Sequence, residues 1–313
     1  MINVLFHYEA GPGLLAKLEA LKVQGLNITC CDQSDEASFE RLIRNADVLW
    51  HVLRPVTAEH ISSAPSLKLI QKIGVGVNTI DLNAAQAASI AVCNMPGTNS
   101  RAVAEMTLLL MLSALRLQPR LDRLCRSGQW VPDAATRESL EEIHGKTVGL
   151  VGFGDIPQQL APILGAMGAR VIYAARSAKQ TPYEHVPVPE LLAMADIVSL
   201  HVPLTDETAR MIGRAEIASM KPGAILVNTA RGGLVDEAAL HDALTSGHLR
   251  AAGLDVFDPE PAPASNPLFQ LDQVVPAPHV AWLTNETFDR SLEIAVANTL
   301  AVMKGSPLLH RVV

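Results

Sequence analysis

Short apolar runs alternate with helical spacing along most of the chain, and they form two series. In the first, Asn3–His7, Asn27–Cys30, Val48–His51, Leu69–Ile73 and Ala91–Cys93 predict strands, and Gly13–Gln24 and Ala37–Arg44 predict helices between them. In the second, Thr147–Val151, Arg170–Ala174, Ile197–Leu200, Ala224–Asn228, Ala252–Asp255 and Val274–Ala277 predict six strands. A helix at Asp236–Ser246 opens on Asp236 and has Gly247 just past its end. Strands alternating with helices predict parallel sheets with crossover connections. A last helix, Asn285–Lys304, leads the tail back to the first series.

Between the two series, Asn99–Leu117 predicts a helix capped at Thr98 or Asn99 and apolar on nearly every face. Such a helix has to be covered all round, by the second domain and by a second subunit. Residues 118–145, with Pro119, Gly128, Trp130 and Pro132, read as a helix followed by an arm. Trp130 either clasps a partner chain or closes its own core. The expected assembly is a homodimer through the 99–145 region.

Composition narrows the class. A chain of 313 residues, 49% hydrophobic and 18% charged, fits two globular domains. The net charge of −7 offers no general attraction to nucleic acid or anionic membrane. The most apolar stretch, Met106–Leu115, has ten residues, too few to span a bilayer. The start, Met1-Ile2-Asn3-Val4-Leu5-Phe6, has no basic segment and reads as a strand rather than a secretory signal. Cys30, Cys31, Cys93 and Cys125 lack metal-ligand spacing and read as reduced thiols, so the expected location is cytoplasmic and no metal is expected.

Candidate chemistry sits just after predicted strands. Gly152-Phe153-Gly154 follows the strand ending at Val151 and opens an apolar helix, an arrangement that cradles a dinucleotide pyrophosphate. Proline at 157 replaces the third glycine of that fingerprint; in a first helical turn its missing N–H would be unpaired anyway. Pro162 lies deeper, where it costs a hydrogen bond and bends the helix. Arg231, Glu260 and His279, at separations of 29 and 19 residues, each follow a strand of the second series. Arginine grips a carboxylate in a fork, histidine gives a proton near neutrality, and a glutamate beside it favours the imidazolium. In the first series, Leu53-Arg54-Pro55 and Gly74-Val75-Gly76-Val77-Asn78 follow strands, and the two glycines leave backbone donors available.

Several longer segments carry a resemblance to a known family. They are Gly74–Asn78, Pro96-Gly97-Thr98-Asn99 with Val103-Ala104-Glu105, Gly145–Gly149, Asn228–Glu237, Gly253–Pro261 and Pro278-His279-Val280-Ala281-Trp282. The chain resembles the D-isomer-specific 2-hydroxyacid dehydrogenases over essentially its whole length, in the manner of glyoxylate/hydroxypyruvate reductases. The resemblance implies two doubly wound, Rossmann-like parallel-sheet domains with a cleft between them: a substrate-binding domain (1–98 plus 285–313) and a dinucleotide-binding domain (99–284). It implies reversible hydride transfer between NAD(P)H and a small 2-keto acid. His279 would be the acid/base, Arg231 would bind the substrate carboxylate and keto oxygen, and Glu260 would orient His279. The implied cofactor-binding residues are Gly152, Phe153, Gly154, Asp155, Ile156, Ala175, Arg176, Ser177, His201, Val202, Pro203, Thr229, Ala230, Arg231, Asp255, His279 and Ala281. The implied substrate-binding residues are Leu53, Arg54, Val75, Gly76, Arg231, His279 and Trp282.

The sequence departs from the NAD-type pattern in one place. An acid about 20 residues beyond the glycines normally receives the ribose 2′-hydroxyl. Here the strand from Arg170 ends in Ala174-Ala175-Arg176-Ser177, so a 2′-phosphate would meet Arg176 and Ser177, and NADPH/NADP+ is expected over NADH/NAD+. Glyoxylate, hydroxypyruvate or pyruvate suit a pocket floored by Leu53, Arg54, Val75 and Trp282, with Arg54 reaching a second polar group or pointing to solvent. The stop at Val313 disfavours an extended phosphoglycerate dehydrogenase. Two other readings stay open: a dinucleotide-binding co-repressor-like protein, and a member oxidising phosphite or formate.

Overall fold

The computed structural model describes residues 1–313, which divide into two compact units, Met1–Asn99 with Thr284–Val313, and Ser100–Leu283. Asn99 and Thr284, which sequence assigned to the second unit, therefore belong to the first. Thr284 goes with the helix it caps, Asn285–Met303, accepting the Thr287 N–H at 3.1 Å. The expected cap for the helix Ser100–Leu115 does not form at Thr98, whose hydroxyl donates to the Met95 carbonyl at 2.9 Å. Asn99 Oδ1 is buried with no partner.

The first unit holds a five-stranded parallel sheet of β1 (Ile2–His7), β2 (Leu26–Cys31), β3 (Val48–His51), β4 (Leu69–Lys72) and β5 (Ala91–Cys93). Their order is β2-β1-β3-β4-β5. The order reverses between β1 and β3, and a reversal opens a crevice at the carboxyl ends of the strands. All four residues of β3 and of β4 are buried, the mark of strands covered by helices on both faces. The tail is tied in where Val92 N donates to the Val313 carbonyl, and Trp50 donates to Thr299 on the last helix at 3.0 Å.

The second unit holds β6 (Thr147–Val151), β7 (Arg170–Ala174), β8 (Glu184–His185), β9 (Ile197–Leu200), β10 (Ala224–Asn228), β11 (Leu249–Leu254) and β12 (Val274–Pro276). They pair in parallel in the order β12-β11-β10-β9-β6-β7-β8, seven strands where six were expected. The extra one, β8, is two exposed residues on the edge, too short to leave an apolar run. Its order reverses between β6 and β9, beside the Gly152 turn. The helix Ser100–Leu115 packs on this sheet through Val103, Thr107, Leu110, Met111 and Ala114, while Leu109 is 55% exposed. The helices Gln118–Arg126 and Ala134–Glu138 bracket the arm, and Trp130 is 85% exposed, so it does not close its own core. No single helix is long and apolar enough to cross a membrane, and all four cysteines are free.

Candidate active site

The turn after β6 shows why glycine stands at 152. Its φ is 98°, and a Cβ there would lie 2.5 Å from the His201 carbonyl oxygen, so the loops after β6 and β9 close together only without a side chain. Gly154 then precedes the helix Asp155–Ala166, and space is open where its Cβ would stand. The N–H groups of Asp155 and Ile156 have no intrahelical acceptor, and Pro157 brings none. An open cradle of backbone donors at a helix start fits the pyrophosphate of a dinucleotide. The Phe153 ring packs inward on Tyr173 (centroids 4.3 Å apart), leaving its backbone to the turn. Pro157 is buried within the helix and Pro162 sits inside it, and neither ends it.

The other cofactor candidates lie on loops at the same, carboxyl edge of the seven-stranded sheet. Ala175, Arg176 and Ser177 follow β7, the last two exposed, and no acidic residue stands between Tyr173 and Tyr183. His201, Val202 and Pro203 follow β9. The His201 ring is held by Ser199 at 2.9 Å, and desolvation lowers its pKa to about 3, so the ring is neutral. Thr229 and Ala230 follow β10. Thr107 donates its single hydroxyl hydrogen to the Val103 carbonyl, so Thr229 must be the donor in their mutual 2.9 Å contact.

The three reactive side chains are drawn together by backbone packing. Asn228, ending β10, accepts the Ala230 N–H and donates to the Arg231 carbonyl, which shapes the loop carrying Arg231. Gly232 then passes so near the backbone of Phe257, in the loop after β11, that no side chain fits. Glu237, in the first turn of the helix Glu237–Thr245, accepts the Asp258 N–H at 2.7 Å and the Asn266 amide at 3.0 Å, holding the loop that presents Glu260. Sequence reading gave no site role to Asn228, Glu237, Asn266 or Thr107. Asn228 alone left a signal, as the polar residue ending a fully buried run.

Glu260 Oε1 accepts the Phe257 N–H at 3.0 Å, and Oε2 lies 2.6 Å from His279 Nδ1. Burial pushes the Glu260 carboxyl up, but His279, the Phe257 amide and the Arg231 charge outweigh it and hold it below its ordinary value. An ionised carboxylate only accepts, so Nδ1 carries the hydrogen and Nε2 is the nitrogen left for other chemistry. His279 itself has a left-handed backbone, φ 55°. That conformation costs about 1–3 kcal/mol and persists where the surroundings fix it. Here the His279 N–H donates to the Asp255 carbonyl at 2.7 Å, and Trp282 Nε1 donates to the His279 carbonyl at 3.1 Å. The Asp255 carboxylate receives the Val280 and Ala281 N–H groups, both at 2.9 Å. Its pKa is raised, burial outweighing those two amides and His279. Arg231 is half-buried, with Nη1 on the Ala230 carbonyl at 2.6 Å, and burial draws its pKa below the usual guanidinium value against the pull of Glu260.

The remaining substrate candidates belong to the first unit, at the carboxyl edge of its own sheet. Leu53 and Arg54 follow β3. Val75 and Gly76 follow β4, and the Val75 carbonyl accepts from Asn94 at 2.9 Å. Lys72, buried at the end of β4, donates to the Val52 carbonyl beneath the Arg54 loop.

Comparison with known proteins agrees with this picture. Residues 108–281 match the family of D-isomer specific 2-hydroxyacid dehydrogenases through its NAD binding domain. A glyoxylate reductase of Korarchaeum cryptofilum is 38% identical over 279 residues, 87% of this chain and 84% of that protein. The D-3-phosphoglycerate dehydrogenase of Mycobacterium tuberculosis is 46% identical over 241 residues, 75% of this chain but 45% of that protein. This chain thus spans about half the length of the phosphoglycerate dehydrogenases it matches. The crystal structure of the TT0316 protein from Thermus thermophilus superposes with a TM-score of 0.92 at 38% identity, covering 100% of both chains. With the dinucleotide cradle, the parallel sheets and more than half the chain in agreement, this protein belongs to the D-isomer specific 2-hydroxyacid dehydrogenase family.

Proposed function

We propose that the protein reduces a small 2-keto acid, such as glyoxylate, hydroxypyruvate or pyruvate, with NADPH preferred over NADH. The observation that carries the reading is the 2.6 Å contact between Glu260 and His279 Nδ1, which leaves Nε2 as the ring nitrogen available for proton transfer. When bound, the nicotinamide supplies the hydride to the keto carbon, or accepts it in the reverse direction.

The side chains do the rest. Arg231 binds the substrate carboxylate and polarises the keto oxygen, with its positive charge fixed at any working pH. The amides of Val75 and Gly76, after β4, are donors suited to a substrate carboxylate. His279 Nε2 gives a proton to the oxygen as negative charge develops there, and the anionic Glu260 stabilises the ring while it is charged. Asp255, through the Val280 and Ala281 amides, and Trp282 fix the position of the imidazole. Leu53, after β3, limits the acid to a short chain, and Arg54 reaches the second polar group of an acid that carries one, such as hydroxypyruvate.

Cofactor choice follows from the loop after β7. Without a carboxylate to repel it, a 2′-phosphate is received by Arg176 and the Ser177 hydroxyl. The exposed apolar residues Leu109, Trp130 and Val131 form the homodimer face, in the 99–145 region. A panel of 2-keto acids, assayed by NADPH oxidation, tests the reaction: turnover of at least one small acid is expected, and none on any of them rejects it.

A further inference from the structure

Arg54 is held in an unusual way. Its Nε donates to the backbone carbonyl of Gln33 at 2.8 Å, and the side-chain oxygen of the same Gln33 accepts the N–H groups of Leu53 and Arg54, at 3.0 and 3.2 Å. One residue therefore fixes both the loop after β3 and the guanidinium that the loop carries. No acceptor or carboxylate of the protein lies in bonding reach of the two terminal nitrogens of Arg54. Anchoring through Nε leaves the outer edge of the guanidinium, the edge that matches carboxylate and phosphate geometry, facing away from its anchor.

The loop is also placed where ligands gather. β3 borders β1 at the reversal of strand order in the five-stranded sheet, and Gln33 comes from the loop after β2, on the far side of β1. Gln33 thus reaches across the crevice to take hold of the β3 loop. It is itself kept in place by a tight turn, in which the Asp32 carboxylate accepts both the N–H and the hydroxyl of Ser34, at 2.7 and 2.8 Å. At the end of β1, His7 is buried and stacked on Phe39 with centroids 4.0 Å apart, and neither ring nitrogen has a partner. Its pKa is lowered to about 4 by burial, with the Arg54 charge adding to the effect. With His7 neutral, Arg54 supplies the cationic edge of this corner.

We propose that Gln33 is a positioning residue: by holding Arg54 with its terminal nitrogens free, it sets how well the enzyme takes 2-keto acids that carry a second anionic group relative to glyoxylate. The inference rests on the reading that Arg54 contacts the far end of the substrate, and the experiment separates the two. Gln33→Met keeps the side-chain length and removes the acceptor of the Leu53 and Arg54 N–H groups, so the loop that carries Arg54 is released while the backbone carbonyl at 33 remains; Gln33→Asn keeps an amide but withdraws it by one methylene. Both are compared with Arg54→Met and with the Gln33→Met/Arg54→Met double variant. The substrates are glyoxylate, which has no second group, oxaloacetate with a distal carboxylate, and 3-phosphohydroxypyruvate with a distal phosphate.

Arg54→Met should raise KM for one or both distal anions about tenfold more than it raises KM for glyoxylate, the value of one charge-assisted contact. Either Gln33 variant should reproduce that split with kcat little changed, and the double variant should be no worse than Arg54→Met, because the two act as one unit. The relative effects on oxaloacetate and 3-phosphohydroxypyruvate identify which anion the site takes. If Arg54→Met treats all three substrates alike, the reading of Arg54 fails and the role of Gln33 fails with it. If Arg54→Met discriminates while both Gln33 variants do not, or depress glyoxylate turnover equally, Gln33 is only structural and the inference is overturned.

Discussion

At Gly232 a Cβ would stand 2.1 Å from the backbone carbon and oxygen of Phe257, far inside any contact that atoms tolerate. This approach brings the Arg231 loop against the loop after β11 that carries Glu260. Neither backbone can yield without moving a reactive side chain, so Gly232→Ala should destabilise the protein by about 1–3 kcal/mol or more, as overpacked sites do. Urea denaturation measures the loss, and an unchanged midpoint would show that the two loops are not in contact.

Cofactor preference should follow the loop after β7. Arg176→Asp places a carboxylate where the 2′-phosphate is proposed to lie and restores an acceptor for the ribose hydroxyl. The ratio of kcat/KM for NADPH to that for NADH should fall by about 100-fold, roughly two charge-assisted contacts. A ratio that stays constant, or favours NADH in the parent protein, removes Arg176 from the site.

Trp130, 85% exposed, is given to a partner copy in the proposed assembly. Exchanging it for lysine desolvates a charge at an apolar contact, and interface tryptophans cost at least about 2 kcal/mol when lost. Sedimentation equilibrium should show a dimer for the parent and dissociation for Trp130→Lys at micromolar concentration. Identical masses for both proteins would place the contact elsewhere.

Buried neutral histidines give the stability a pH dependence of predictable sign. The His7 pKa is lowered from 6.5 to about 4, and His51 and His201 are also lowered by burial. As pH falls through 6.5 the unfolded chain takes up these protons before the folded one does, so stability declines from about pH 6.5 toward 4 and is complete above 6.5. His7→Phe keeps the stack on Phe39 and removes one titrating group. Urea midpoints at about pH 5 and about pH 7.5 should differ less in this variant than in the parent, and an equal difference would exclude His7 as a contributor.

Most strands were legible because a parallel sheet covered on both faces needs unbroken apolar runs, as at Val48–His51 and Ala224–Asn228. The edge strand Glu184–His185 was not, since two exposed residues carry no period. The meeting of Glu260 with His279 was readable in outline from their places after strands. The left-handed backbone of His279 and the grip of Asp255 on two amides were not, because they depend on contacts between segments about 25 residues apart rather than on local preference. Gln33 escaped for the same reason: an exposed-looking turn residue gives no sign that its oxygen accepts two N–H groups from a loop 20 residues away.

The proposed chemistry depends on His279 Nε2 as the proton donor, with Glu260 holding the opposite nitrogen. The most direct measurement is kcat for glyoxylate reduction by His279→Ala, set beside the dissociation constant for NADPH from fluorescence titration. The reaction should slow by at least ~100-fold while the cofactor binds within a few-fold of the parent, the loss expected for a positioned general acid. A variant that turns over at the parental rate would contradict the assignment.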